Sequence, residues 1–253
     1  MRKNFLKEKL SNGDTVTGAI IQECATQITE IIGLLGFDLL FIDCEHSAIG
    51  IESAAQLIMA AETREITTLV RVPQNLPEII LRYLDAGAMG IIVPDMVSAE
   101  EAERAVKAVK YIPQGQRGLA AVRSADYGLR GSLKQYVQIA NSETLIFGVV
   151  ESRHGVENID AILRTDGLDG IVIGSNDLSN SFNVPGETRH PLVLEAIDKI
   201  LAVGRLTGKP IGGVVRGDET PKQYKDKGYR FLLTSVIGLV IKAGKQFVQD
   251  AVS

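Results

Sequence analysis

The chain has 253 residues, 45% hydrophobic and 23% charged, with a formal net charge of −4, a composition suited to one large globular domain. Acidic and basic residues are interspersed, which argues against nucleic acid or an anionic membrane as partner, and no apolar run reaches the ~18 residues of a bilayer span. Met1–Lys9 is too charged for a signal peptide, and Cys24 and Cys44 show neither metal-ligand spacing nor a disulfide framework, so a cytoplasmic location is the default expectation.

Short apolar runs alternate with longer helical stretches along the whole chain. The strand-like runs are 16–21, 39–42, 68–71, 90–93, 145–150, 170–173, 210–214 and 230–234. Each is nearly continuous in apolar residues, as strands covered on both faces should be. Helical periodicity falls between them, for example over 51–61, 76–86 and 98–110. Pro77 sits early in the second of these, where a missing N–H costs little, and Ser98 with Glu101 has the spacing of a capping box in the third. Gly36, Gly87 and Gly228 come just after helices, at positions suited to a left-handed cap. Eight strands and intervening helices in this length predict an α/β fold, a (β/α)8 TIM barrel forming a single domain over 1–253. A doubly wound sheet is the competitor, but the first strand lacks the glycine-rich phosphate turn that such a sheet would carry. The one long interruption, 111–131, is expected to be a loop over the barrel mouth.

Chemistry in such barrels sits at the carboxyl ends of the strands. Read there, the chain offers Gln22 and Glu23, then Asp43-Cys44-Glu45-His46, Arg71, Pro94-Asp95, Glu151-Ser152-Arg153 and Gly174-Ser175-Asn176-Asp177. Glu151 and Asp177, from adjacent strands, are the candidate metal pair: two carboxylates with water and a chelating substrate suit a hard ion such as Mg2+ or Mn2+. The plainer alternative is that each caps a helix or faces solvent. Gly174-Ser175-Asn176-Asp177 could open a short helix and offer N–H groups to an anion. Arg71 ends an apolar strand and is either a snorkelling rim residue or a substrate clamp. His46 is a candidate general base, oriented by Asp43 or Asp85, against the alternative of a surface histidine. His154 and His190 read as residues of helix starts, and Cys44 as a semi-buried small residue.

These blocks occur in the order seen in a known family. Asp43-Cys44-Glu45-His46, Arg71-Val72-Pro73, Leu84-Asp85-Ala86-Gly87 leading to Gly90–Pro94, Tyr111–Gly118, Glu151-Ser152-Arg153 and Gly170–Ser179 resemble the HpcH/HpaI family of class II, metal-dependent pyruvate aldolases. The resemblance runs from about residue 14 to the carboxyl-terminus. It implies a divalent ion (Mg2+, Mn2+ or Co2+) on Glu151 and Asp177, an essential Arg71 at the substrate's oxo oxygen, and His46 in proton transfer supported by Asp43 and Asp85. It places the pyruvate carboxylate against Gly174, Ser175, Asn176 and Asp177. It further implies a homo-oligomer, a trimer of dimers, with the last helix (235–252) swapped between subunits. The chain departs from the family's usual pattern at Val149, at Ser175-Asn176 and at Asp95.

The expected function is reversible cleavage of a 4-hydroxy-2-oxo acid to pyruvate and an aldehyde through a metal-stabilised pyruvate enolate. The alternatives are another pyruvate-enolate reaction, by a thioester lyase or an oxo-acid decarboxylase, and a non-catalytic barrel that binds oxo acids.

Overall fold

The computed structural model describes residues 1–217 and 219–252. Among them, eight parallel strands close into a barrel in sequence order. They are β1 (Val16–Ile21), β2 (Leu39–Asp43), β3 (Thr67–Arg71), β4 (Gly90–Val93), β5 (Leu145–Val150), β6 (Gly170–Ile173), β7 (Ile211–Val214) and β8 (Phe231–Ser235). The helices are α1 (Phe5–Ser11), α2 (Thr26–Leu34), α3 (Ile51–Glu62), α4 (Pro77–Asp85), α5 (Ala99–Val109) and α6 (Leu133–Glu143), then α7 (Arg153–Glu157), α8 (Ile159–Arg164), α9 (Ser175–Ser181), α10 (Pro191–Thr207), α11 (Pro221–Lys227) and α12 (Val236–Val252). The (β/α)8 barrel expected from the alternation is therefore the fold, and all eight strand-like runs are strands.

Local chemistry sets the element ends. Gly36, Gly87 and Gly228 take φ values of 84°, 110° and 106° after α2, α4 and α11, in the left-handed region that favours glycine. Ser98 caps α5 by accepting from the Glu101 N–H at 3.3 Å, but the expected capping box is shifted by one residue: the Glu101 carboxylate accepts from Val97 N–H at 2.9 Å. His190 caps α10, its Nδ1 accepting from Leu192 N–H at 3.3 Å.

Because side chains alternate along a strand, each strand feeds two cores. One set, including Leu40, Ile42, Val70, Ile91, Ile146, Val150 and Ile171, packs outward beneath the helices. The other, Val16, Leu39, Phe41, Leu69, Ile92, Leu145, Phe147, Val149, Val172, Phe231 and Leu233, fills the barrel, with the Phe147 and Phe231 rings 5.3 Å apart. Leu6 and Leu10 of α1 join the inner set and plug the amino-terminal end. Buried Asn4 locks that plug: its Nδ2 donates to Glu143 O at 2.8 Å and its Oδ1 accepts from Thr67 Oγ1 at 3.1 Å. The inward parity then reaches the other end, where it carries Asp43 after Leu39 and Phe41, Arg71 after Leu69, and Glu151 after Phe147 and Val149. Polar side chains thus enter the barrel only where its apolar filling stops.

The segment 111–131 differs from the expectation. It lies at the amino-terminal end of the strands, away from the mouth. Arg123 donates to Ala86 O and to Glu62 Oε1, both at 2.9 Å, and Arg117 pairs with Asp85 at 2.7 Å. The reason is topological. Helix α5 descends from the carboxyl end of β4, so the chain beyond it must stay on the lower face to enter β5.

Helix α12 packs by its start against the ends of β1 and β8, and only Val236 of it is buried. Ile237, Val240, Ile241, Phe247 and Val248 are exposed.

Close strand approach depends on small inward residues. A Cβ on Gly90 would lie 2.6 Å from Leu69 Cδ2 and 2.7 Å from the Leu145 carbonyl oxygen. Backbone cannot yield as a flexible side chain does, so Gly90→Ala should destabilise the barrel by about 1–3 kcal/mol, visible as a lowered thermal midpoint. An unchanged midpoint would show that β4 and β5 can part without cost.

Candidate active site

A cavity of about 510 Å3 opens at the carboxyl end of the barrel. Its wall includes Gln22, Asp43, His46, Arg71, Glu151, Gly174, Ser175, Asn176 and Asp177, so of the residues given a role in the expected site the structure brings together all but one. The exception is Asp85. It ends α4 on the opposite face and is held by Arg117, so within this chain it does not support His46. A larger cavity, about 660 Å3, lies on that opposite face. Its carboxylates are already paired, Glu62 with Arg2 and Arg123, and Asp126 with the amino-terminus, which leaves no free acid there for chemistry.

The centre of the site is an ion pair. Asp43 and Arg71 are direct neighbours across β2 and β3. Arg71 Nε donates to Asp43 Oδ1 at 3.0 Å and Nη2 to Oδ2 at 2.7 Å, a two-pronged contact that fixes the guanidinium plane. Asp43, 1% exposed, also accepts from Gln22 Nε2 at 3.0 Å and from the N–H groups of Glu45 and His46 at 3.2 and 3.1 Å. Burial alone would push the Asp43 carboxyl up. The Arg71 hydrogen bonds and charge, with the two N–H groups, outweigh it and hold the acid below its ordinary range. Arg71 also lies against the Phe41 ring, 5.6 Å from its centroid.

Asp43 binds the backbone of His46 and not its imidazole. The acid beside the ring is Glu45, whose Oε2 lies 3.8 Å from His46 Nε2 and 3.0 Å from Arg71 Nη1. That oxygen is buried and has no aligned hydrogen bond, and burial pushes the Glu45 carboxyl upward.

Glu151 shows the strongest electrostatic perturbation among these acids. It is 8% exposed, and burial, with the charges of Glu45 and Asp177, raises its carboxyl to about 7 despite a 2.9 Å hydrogen bond from Asp95 N–H and the nearby Arg71. Asp95 supplies that N–H from a left-handed conformation, φ 41°. Gly174 is required opposite: a Cβ there would lie 2.5 Å from Glu151 Oε2. The cavity and its immediate border therefore hold four carboxylates (Asp43, Glu45, Glu151, Asp177) beside Arg71 and Arg216. Four acids crowded against two guanidinium groups, with Glu45 and Glu151 pushed towards protonation, form a site that a divalent cation would relieve. Among the described residues no group of three or more His, Cys, Asp or Glu side chains is arranged to hold a metal. An ion here would thus rest on Glu151 and Asp177 and take its other oxygens from water or substrate, a pattern typical of Mg2+. The residues present fit such an ion.

Two wall residues escaped the sequence reading, Arg216 just beyond β7 and Ser235 at the end of β8. Inspecting the residues just beyond each apolar run found the others, and the same rule applies to Val214-Val215-Arg216.

A family model described as HpcH/HpaI aldolase/citrate lyase matches residues 21–241. The chain belongs to the HpcH/HpaI aldolase/citrate lyase family. A relative named 5-keto-4-deoxy-D-glucarate aldolase, from Enterobacter sp. (strain 638), is 35% identical over 88% of this chain and 86% of its own length. One named hydroxypyruvate/pyruvate aldolase, from Roseobacter denitrificans, is 34% identical over 96% of this chain and 94% of its own. The crystal structure of a family member from Burkholderia cenocepacia J2315 superposes with a TM-score of 0.94 at 30% identity, covering 99% of this chain and all of that one. Membership of this family, with relatives named as aldolases, makes this HpcH/HpaI protein an enzyme, and sets aside the non-catalytic barrel.

Asp43→Ala should be severely destabilising, by about 3–5 kcal/mol, because it strands a buried guanidinium beside the one-sided contact to Glu45. A thermal midpoint within a degree or two of the wild type would mean that Arg71 escapes to solvent.

Proposed function

We propose that this family member is a divalent-metal-dependent aldolase that reversibly cleaves a 4-hydroxy-2-oxo acid into pyruvate and an aldehyde. The observation that carries the reading is the uncompensated pair Glu151 and Asp177 facing the fixed guanidinium of Arg71 in one cavity. The names of the aldolase relatives support the same class of reaction. Glu151 and Asp177 would hold Mg2+, Mn2+ or Co2+, which would supply Lewis-acid stabilisation of negative charge on a 2-oxo acid.

The chain's own groups do the rest. Arg71, unable to rotate because Asp43 grips two of its nitrogens, presents positive charge where the oxo oxygen gains electron density. Ser175, Asn176 and Asp177 form the first turn of α9, before its first intrahelical bond from Leu178 N–H to Gly174 O, and their N–H groups would meet the substrate carboxylate. His46, exposed at the rim, takes the proton of the C4 hydroxyl as the C3–C4 bond breaks. The aldehyde leaves, and protonation at C3 gives pyruvate. Glu45 Oε2 lies 3.8 Å from His46 Nε2, beside the ring that would take this proton. A thioester lyase or an oxo-acid decarboxylase would use the same cavity for related chemistry. The uncovered apolar surface of α12 supports assembly into a homo-oligomer in which a second copy covers that helix.

His46→Ala should leave Mn2+ binding intact and lower retro-aldol turnover at least about 10²-fold, measured as pyruvate release over a panel of 4-hydroxy-2-oxo acids with chelator and metal add-back. Near-normal turnover would remove His46 from proton transfer.

Glu151 gives a prediction of opposite sign for stability and activity. Its folded value, about 7, lies above its ordinary one of 4.5, so the protonated form is favoured by folding. Without metal, stability is therefore highest below pH 4.5 as far as this group is concerned, and falls as pH rises towards 7, by about 3 kcal/mol in all. Glu151→Gln should accordingly raise the thermal midpoint of the metal-free protein at pH 8, show a smaller gain at pH 5, and abolish the stabilisation that Mn2+ gives the wild type. Equal midpoints at pH 8 would contradict the assigned burial of charge.

A further inference from the structure

The geometry points to Arg216 as the residue that selects substrates bearing a carboxylate on the aldehyde half, remote from the 2-oxo acid group; this inference rests on the aldolase reading above. Arg216 lies two residues beyond β7, in the cavity wall. Its Nη1 donates to Asn176 Oδ1, a neutral amide, and that is the guanidinium's one hydrogen bond among the described residues. Arg71, the other cationic wall residue, is already engaged by Asp43 and Glu45. Arg216 is therefore the cavity cation not paired with a carboxylate among the described residues, and its remaining N–H donors match the two-oxygen edge of one.

Depth decides which end of the substrate it meets. Asp43 and Glu151 are buried and Arg71 is nearly so, whereas the Arg216 side chain is exposed at the rim, on the solvent side of the α9 turn whose N–H groups would meet the 2-oxo acid's own carboxylate and whose Asn176 and Asp177 are exposed with it. A 2-oxo acid seated against Glu151 and Arg71 at the bottom directs its aldehyde half outward, towards Arg216. The charge of the cavity works in the same direction. A second carboxylate on the substrate enters a space walled by three acids, Asp43, Glu151 and Asp177, and is repelled unless a cation receives it. Arg216 is that cation, and a neutral tail gains nothing from it, so the arginine acts on the difference between substrates. Asn176 restrains the guanidinium from the side of α9, which keeps the arm over the cavity instead of loose in solvent.

The test compares two ligands that differ only at the far end, 2-oxoglutarate and 2-oxopentanoate, by calorimetric titration of the Mn2+-loaded protein. The wild type should bind the diacid more tightly by about tenfold or more, as a charge-assisted hydrogen bond implies. In Arg216→Ala that ratio should fall towards one, and Arg216→Lys should keep part of it. Because each ratio is taken within one preparation, a partly unfolded variant does not mimic the effect. The proposal is overturned if the wild type binds both ligands equally, or if Arg216→Ala keeps the ratio while binding both more weakly. The latter result would place Arg216 on the 2-oxo acid's own carboxylate. Exchange of pyruvate methyl protons with solvent deuterium, followed by NMR on the same wild-type sample, reports on the aldolase reading separately. Its absence would remove that reading without altering the binding ratio.

Discussion

The Asp43–Arg71 pair is the constraint on which the upper end of the molecule depends. It sits at the last register position shared by β2 and β3, where the inward-facing row changes from Phe41 and Leu69 to charge. A buried ion pair seldom adds net stability, since both ions lose water. Its value here is orientation. Two parallel hydrogen bonds leave the guanidinium no rotational freedom, and the Asp43 oxygens also order the start of the next loop through Glu45 and His46 N–H. One carboxylate thereby positions the cation and the loop that carries His46.

The rest of the cavity is arranged against its own stability. Glu151 is buried within reach of two further carboxylates, and only the Asp95 N–H and a distant share of Arg71 act in its favour. Such a group persists because the barrel below it is filled by large apolar side chains and plugged by α1, so the fold tolerates the strain of one end. The division is spatial: the amino-terminal face pairs its charges, Arg117 with Asp85 and Arg123 with Glu62, while the carboxyl face gathers acids in excess of its cations. Acids in excess within a concave, partly dry space are the signature of a site whose missing charge arrives from outside.

Most of the architecture was legible because parallel barrel strands are buried on both faces. Runs such as Leu145–Val150 and Gly170–Ile173 carry no polar interruption, and their ends stand out against the sequence around them. The polar residues at those ends were legible for the same reason. What misled was the treatment of loops as interchangeable. The segment 111–131 comes after a helix, and every such loop in this topology returns to the amino-terminal face, which also carries Asp85 away from His46. The partner of the imidazole was misjudged because Asp43 is close in sequence, yet its oxygens are consumed by Arg71 and backbone N–H groups before they could reach the ring. Arg216 was missed because β7 is short and glycine-rich, so its end is poorly marked.

The positions at which this chain departs from the family's usual pattern are not independent. Asp95 acts through its backbone: a left-handed turn aims its N–H at Glu151, and aspartate tolerates that conformation better than a branched apolar residue would. Asn176 carries the amide that Arg216 grasps, so the α9 turn and the end of β7 are joined across the mouth by a contact that an alanine or serine at 176 could not reproduce. Val149 remains part of the inner wall, 2% exposed and apolar, below Glu151. The groups that would handle a 2-oxo acid are the nearly buried Arg71, the buried Glu151 and the exposed Asp177, all of which belong to the blocks that carry the family resemblance. Of the differences, Asn176 lies at the exposed rim, whereas Asp95 acts beside Glu151 and Val149 lies below it. A barrel whose filling keeps its character while its rim varies can keep one reaction and change what it accepts, and in this chain the Asn176–Arg216 contact lies at that rim.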